Sequence, residues 1–129
     1  MSIQERLQIS KIGQVAIPVH QLERAVAFYR DVLGMTFLFQ TPSLAFFQCG
    51  EVRLMLSIPE GPGASHHASV LYYQVEDIHS AFQLLRQQGV KIVDEPHLIA
   101  KLADHDLWMT FFEDTEGNML GLMCEVRNS

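Results

Sequence analysis

Six histidines, two cysteines, Arg53 and a few carboxylates are the residues whose types could do chemistry, and their spacing decides what chemistry. The histidines are His20, His66, His67, His79, His97 and His105. Only His66 and His67 are neighbours, placed just before a predicted strand where they could reach a metal. His20 and His79 fall at helix starts and read as solvated. His97 and His105 bracket a loop and read as solvated or ligand-touching. Cys49 and Cys124 have no activating cation in sequence reach and read as small buried hydrophobes. Glu113 and Asp114 form a carboxylate pair, but Asp114-Thr115-Glu116-Gly117-Asn118 is a turn sequence, so Asp114 and Asn118 are assigned to local backbone hydrogen bonding. Arg53 and Glu125 share one side of their strands. They either pair with each other, or Arg53 receives an anionic ligand, or both sit in a surface ion pair. No Ser/His/Asp nucleophile motif and no Gly-rich phosphate loop occurs.

These residues must be positioned by a repeated element. Val15 to Phe37 and Leu71 to Ile92 superpose on a shift of 56, which lays Val19 on Val75, Leu22 on Ile78, Ala25 on Ala81 and Arg30 on Arg86. One deletion then brings Gly34 onto Gly89. The first copy predicts a strand over 12–19 and a helix over 21–33, whose Leu22, Ala25, Val26, Tyr29 and Leu33 recur at i, i+3, i+4 spacing. Gly34 ends that helix. Strands follow at 35–40, 44–49 and 52–57. A Gly/Pro-rich linker covers 59–67. The second copy predicts a strand over 69–75, a helix over 78–88, and strands at 91–94, 107–113 and 119–125. Residues 96–106 are expected as a long connection lying over a pocket.

The fold class is therefore α+β: two βαβββ repeats forming a curved mixed sheet around a cleft, with helices on the outer face. Neither half buries its sheet alone, so the halves pair within a chain or exchange between chains. Residues 1–10 read as an arm and 11–129 as a single domain, its halves at about 11–58 and 68–126.

Composition narrows the function classes. The 129 residues carry a formal net charge of −6, and with only nine Lys and Arg no basic stripe forms, which disfavours nucleic acid. Two cysteines make no disulfide framework. No segment approaches the roughly 20 apolar residues of a membrane span, and residues 1–10 lack the apolar core of a signal peptide. The expectation is a cytoplasmic protein.

Strand alternation separates two faces. Val15, Ile17, Val19, Val52, Leu54, Leu56, Leu71, Tyr73, Val75, Leu120, Leu122 and Cys124 are assigned beneath the helices. The other face carries Gln14, Arg53, Met55, Val70, Tyr72, Gln74, Met119, Gly121, Met123 and Glu125. Its mixture of amide, thioether, small and charged groups suits a ligand pocket, with Trp108 added as a wall.

The string Ala25-Val26-Ala27-Phe28-Tyr29-Arg30-Asp31-Val32-Leu33-Gly34-Met35 and the later Phe112-Glu113-Asp114-Thr115-Glu116-Gly117-Asn118, set in a duplicated βαβββ pattern, resemble the vicinal oxygen chelate superfamily. That group holds glyoxalase I, extradiol dioxygenases, methylmalonyl-CoA epimerase, and fosfomycin and bleomycin resistance proteins. The resemblance covers about residues 11–125. It implies a homodimer and, in metal-using members, a divalent ion held by His or Gln, Glu, His and Glu on four strands. Carried onto this chain, those positions are Gln14, Met55, Val70 and Gly121. Val and Gly offer no donor atom, and a Met thioether suits Zn, Ni, Mg, Mn or ferrous iron poorly.

Three readings follow. The first is a pocket protein with no metal and no cofactor, binding a small amphipathic or aromatic molecule as bleomycin resistance proteins do. Met55, Tyr72, Met119, Met123 and Trp108 would then be walls, and Gln14, Arg53, Gln74 and Glu125 would orient the ligand. The second is a metal-dependent lyase, isomerase or dioxygenase with an atypical divalent-ion site drawing on Gln14, His66 or His67, and Glu125. The third is a regulatory module with an unused cleft. Whether the chain is an enzyme stays open at this level, and no catalytic residue is assigned.

Overall fold

The computed structural model describes Gln8, residues 11–59 and residues 70–127. The expected arm apart from Gln8, and most of the linker, His66 and His67 among it, lie outside the described residues.

In the first half, β1 (Gln14–Pro18) leads into α1 (Leu22–Ala27), a π-helical turn (Phe28–Val32), and β2 (Thr36–Gln40), β3 (Leu44–Cys49) and β4 (Val52–Ser57). The spacing of Leu22, Ala25, Val26 and Tyr29 puts all four in the core, as an amphipathic helix requires. The helix is not uniform, however. From Phe28 it widens to i→i+5 bonding, and the Leu33 N–H donates to the Phe28 carbonyl at 3.0 Å. Hydrophobic spacing cannot distinguish such a turn from an α-helix, because both bury the same stripe. Gly34 ends the segment at φ 73°, and Gly89 ends the second helix at φ 74°, a backbone region open to glycine.

The second half runs β5 (Leu71–Gln74), α2 (Ile78–Gln87), β6 (Lys91–Ile92), β7 (His97–Lys101), β8 (His105–Glu113) and β9 (Met119–Arg127). Asp77 caps α2, accepting from the His79 and Ser80 N–H groups at 3.1 Å. The segment expected as a pocket-covering connection instead holds β7, which pairs antiparallel with β8. Its Leu98, Ile99 and Leu102 are exposed, so no amphipathic alternation announced it.

The sheet orders are β1-β4-β3-β2 and β5-β9-β8-β6, with β7 also on β8. In each, the first strand runs parallel to the last, and the remaining pairs are antiparallel. Hydrogen bonding thus divides the expected single curved sheet into a four-stranded and a five-stranded one. The duplication is visible in the registers. Ala16 faces Met55 and Met55 faces Phe46; correspondingly, Tyr72 faces Gly121 and Gly121 faces Phe111.

One core spans both halves. Ile17, Val19, Tyr29, Ala45, Phe47, Leu54 and Leu56 cluster with Phe112, Leu120, Leu122 and Cys124. Burying each large apolar side chain contributes about 2 kcal/mol. Polar bonds cross the same junction. The Asp114 carboxylate is buried and accepts from the Tyr29 hydroxyl at 2.8 Å, the Glu116 and Asn118 N–H groups at 2.8 and 2.9 Å, and the Asn118 side-chain amide at 2.9 Å. The Asn118 amide also donates to the Pro18 carbonyl at 3.1 Å. Burial, with the Asp114 carboxylate beside it, pushes the Tyr29 phenol well above its usual range. The turn reading of Asp114 and Asn118 therefore holds, and the turn does more than close a hairpin. Among the described residues no helix is long and apolar enough to cross a membrane.

Candidate ligand site on the open sheet faces

Strand parity and pairing place the candidate residues. Ile17, Leu54 and Leu56 point into the core, so Gln14, Ala16, Arg53 and Met55 point away from it. Directly opposed residues share a face. On β3 the partners of Arg53 and Met55 are Gln48 and Phe46, and Phe46 in turn faces Phe39 on β2. The first sheet therefore presents two rows: Gln14–Arg53–Gln48, and Ala16–Met55–Phe46–Phe39. The rings of Phe39 and Phe46 stack with centroids 4.5 Å apart. The Gln14 Nε2 donates weakly to the Met55 sulfur at 3.8 Å.

The second sheet repeats the plan with different volumes. Its open rows are Tyr72–Gly121–Phe111 and Gln74–Met123–Met109. Where the first half sets a long Met55 beside a small Ala16, the second sets no side chain at Gly121 beside a large Tyr72. A Cβ at Gly121 would lie 2.9 Å from the Tyr72 ring and 3.1 Å from that of Phe111. The two rings meet edge to face at 5.7 Å, and Tyr72 remains 47% exposed. Met119 and Glu125 lie further along β9 on the same face, both exposed, and Val70 stands half-buried just before β5.

Trp108 departs from the expected set. It faces Cys124 on the core side of the second sheet, packs against the common core, and meets the His79 ring edge-on at 5.3 Å. The parity of β8 decides this, since Phe112 is fully buried and Trp108 stands four residues before it. His79 is exposed at the helix start, as expected, and its ring also meets Trp108. Conversely, Phe39, Phe46, Gln48 and Met109 join the open faces without having been expected there. Alternation within β3 and β8 contains their parity, but only the pairing ties it to the outer strands.

Charges on the two sheets differ. Glu125 does not reach Arg53; its Oε2 lies 3.6 Å from the His105 Nε2, and the His105 Nδ1 bonds Asp104 at 2.7 Å. That bond from His105 holds the Asp104 carboxyl below its ordinary range. Arg53 is exposed, and among the described residues its guanidinium has no ion pair and no hydrogen bond.

Between the sheets, the edge strands β1 and β5 flank a hollow of about 250 Å³ lined by Ile12, Val15, Cys49, Leu71, Tyr72 and Tyr73. The Tyr73 hydroxyl is buried there without a partner among the described residues, and burial raises its phenol far above the usual range. A larger hollow of about 520 Å³ opens on the helix side, between Phe28, Asp31, Gln88, Lys91 and Thr115, and contains none of the expected site residues.

Two sheets ordered 1-4-3-2, each with its helix against the common core, define a duplicated βαβββ fold. Residues 11–122 match the family model described as Glyoxalase/Bleomycin resistance protein/Dioxygenase superfamily, and the chain belongs to that superfamily. It is similar to a glyoxylase-like domain-containing protein of Didymella fabae, at 28% identity over 122 residues, 84% of this chain and 88% of that one. It is also similar to the mitochondrial methylmalonyl-CoA epimerase of Bos taurus, at 24% identity over 140 residues, 94% of this chain and 75% of that one. Among solved structures it resembles the lactoylglutathione lyase of Agrobacterium tumefaciens with a TM-score of 0.71 and 20% identity, over 89% of this chain and 93% of that one.

The positions to which the resemblance assigns metal ligands do not fit a divalent ion. Met55 and Gly121 occupy equivalent places beside the first strand of their halves, as the registers require of that assignment. One carries a thioether engaged with Gln14; the other carries only hydrogen and is roofed by two aromatic rings. Val70 has no donor atom. Hard and borderline ions need several oxygen or nitrogen ligands. Among the described residues no group of three or more His, Cys, Asp or Glu is arranged to hold one.

Proposed function

We propose that this protein binds a small amphipathic or aromatic molecule on the open faces of its two sheets and lacks the metal site of its superfamily. The observation that carries the reading is the chemistry at four positions: an amide at Gln14, a thioether at Met55, a methyl-bearing side chain at Val70 and none at Gly121. What replaces the ligands is apolar and aromatic, the lining common to small-molecule sites. Gln14, Arg53, Gln74 and Glu125 orient the ligand, and Met55, Tyr72, Met119 and Met123 form its walls. We read the protein as a cytoplasmic homodimer acting on neither nucleic acid nor membrane; sedimentation velocity tests the dimer.

Metal analysis of the purified protein tests the central claim. The expected result is substoichiometric Zn, Ni, Mn and Fe, and a melting temperature unchanged by chelator. Stoichiometric metal that is lost in Gln14→Ala would instead assign a metal-dependent lyase, isomerase or dioxygenase activity, the class in which the epimerase and lyase relatives are named. Gln14, His66 or His67, and Glu125 would then be its ligands.

A further inference from the structure

We infer that the first sheet holds a planar apolar molecule bearing one carboxylate, with Arg53 as the residue that selects the charge. This inference rests on the reading of the open sheet faces as a ligand site. Arg53 stands between Gln14 and Gln48 in a row across β1, β4 and β3. The Gln48 amide is held by the Gly50 carbonyl at 2.7 Å, and the Gln14 amide by the Met55 sulfur at 3.8 Å. Neither neighbour occupies the guanidinium, and among the described residues no carboxylate pairs with it.

The adjoining row supplies the apolar bed: Ala16, Met55 and the stacked Phe46 and Phe39. Alternate residues on one face of a strand lie about 6.6 Å apart, so a ring lying on that row brings a substituent within reach of the next. A guanidinium presents two parallel N–H donors that match a carboxylate. Arg53 is the single cation on this face among the described residues, which limits the ligand to one negative group there. The acid on the other sheet is in a different state. Glu125 already has His105 within 3.6 Å, so of these two charged groups among the described residues Arg53 alone is uncommitted.

The test uses three probes with one ring system: 2-naphthoate, neutral 2-naphthalenemethanol and cationic 2-naphthylmethylamine. Binding is followed by calorimetry on the full chain at low and high salt, with metal content measured on the same preparation. The expected result is a preference of about tenfold or more for 2-naphthoate over the alcohol, weakened by salt. Arg53→Gln should remove that preference while retaining the alcohol, and Arg53→Lys should restore part of it. Arg86→Gln, a cation lying over Phe82 on α2, should leave it intact. Equal binding of the three probes, or tighter binding of the amine, overturns the inference and leaves the metal-free ligand site standing. No binding of any probe also overturns it. If stoichiometric metal accompanies that result, the underlying reading falls as well.

Discussion

Gly121 is held as glycine by the two rings that close over it. A methyl group there would enter the 2.9 Å gap to Tyr72 and the 3.1 Å gap to Phe111. Tyr72 is half-exposed and can swing outward, whereas Phe111 is the less exposed of the two. Gly121→Ala should therefore destabilise the fold by about 1–3 kcal/mol, the usual range for overpacking. In a Tyr72→Ala background the same change should cost about 1 kcal/mol less, because the nearer obstacle is gone. Urea denaturation of the four proteins in this cycle checks the coupling, and an equal cost in both backgrounds would clear Tyr72 of the role.

The two helices begin in different ways although they descend from one repeated pattern. Asp77 caps α2 from within its own sequence. Gln21, at the start of α1, makes no such bond; the cap comes from Glu116 in the other half, whose carboxylate accepts from the His20 and Gln21 N–H groups at 2.7 and 2.9 Å. The Glu116 side chain is only 6% exposed. Burial alone would raise its carboxyl, but the Gln21 and His20 backbone donors and the His20 ring outweigh that and hold it below its ordinary value. The folded state thus binds the proton more weakly than the unfolded chain does. The stabilisation is complete above the unfolded value of about 4.3 and is lost as pH falls through the lower folded value. Glu116→Gln should cost about 1 kcal/mol at neutral pH and flatten the fall in stability on acidification. Denaturant titrations at neutral and acid pH measure both effects.

At the scale of the molecule, the halves share one core and are joined by side chains that belong to neither sheet alone. Tyr29 of the first half meets Asp114 of the second, and Asn118 reaches Pro18. Unfolding should accordingly be a single cooperative transition in which circular dichroism and fluorescence coincide. Cutting the chain within residues 60–69 should yield two fragments that are unstructured apart and recover the native spectrum when mixed, as neither fragment carries a complete core. A folded isolated half would refute this.

The sequence by itself determined the duplicated βαβββ plan, the two amphipathic helices, the glycine stops at Gly34 and Gly89, and the parity that puts Gln14, Arg53, Met55 and Tyr72 on one kind of face. Each follows from local periodicity and backbone preference, which neighbouring residues impose on one another. Strand pairing and packing decided the rest. They brought Phe46 beside Met55 and Phe111 beside Gly121, turned Trp108 toward His79, made a strand of His97–Lys101, and separated Glu125 from Arg53. Those outcomes depend on residues far apart in the chain, whose meeting is a property of register and of the shared core, and no local pattern encodes it.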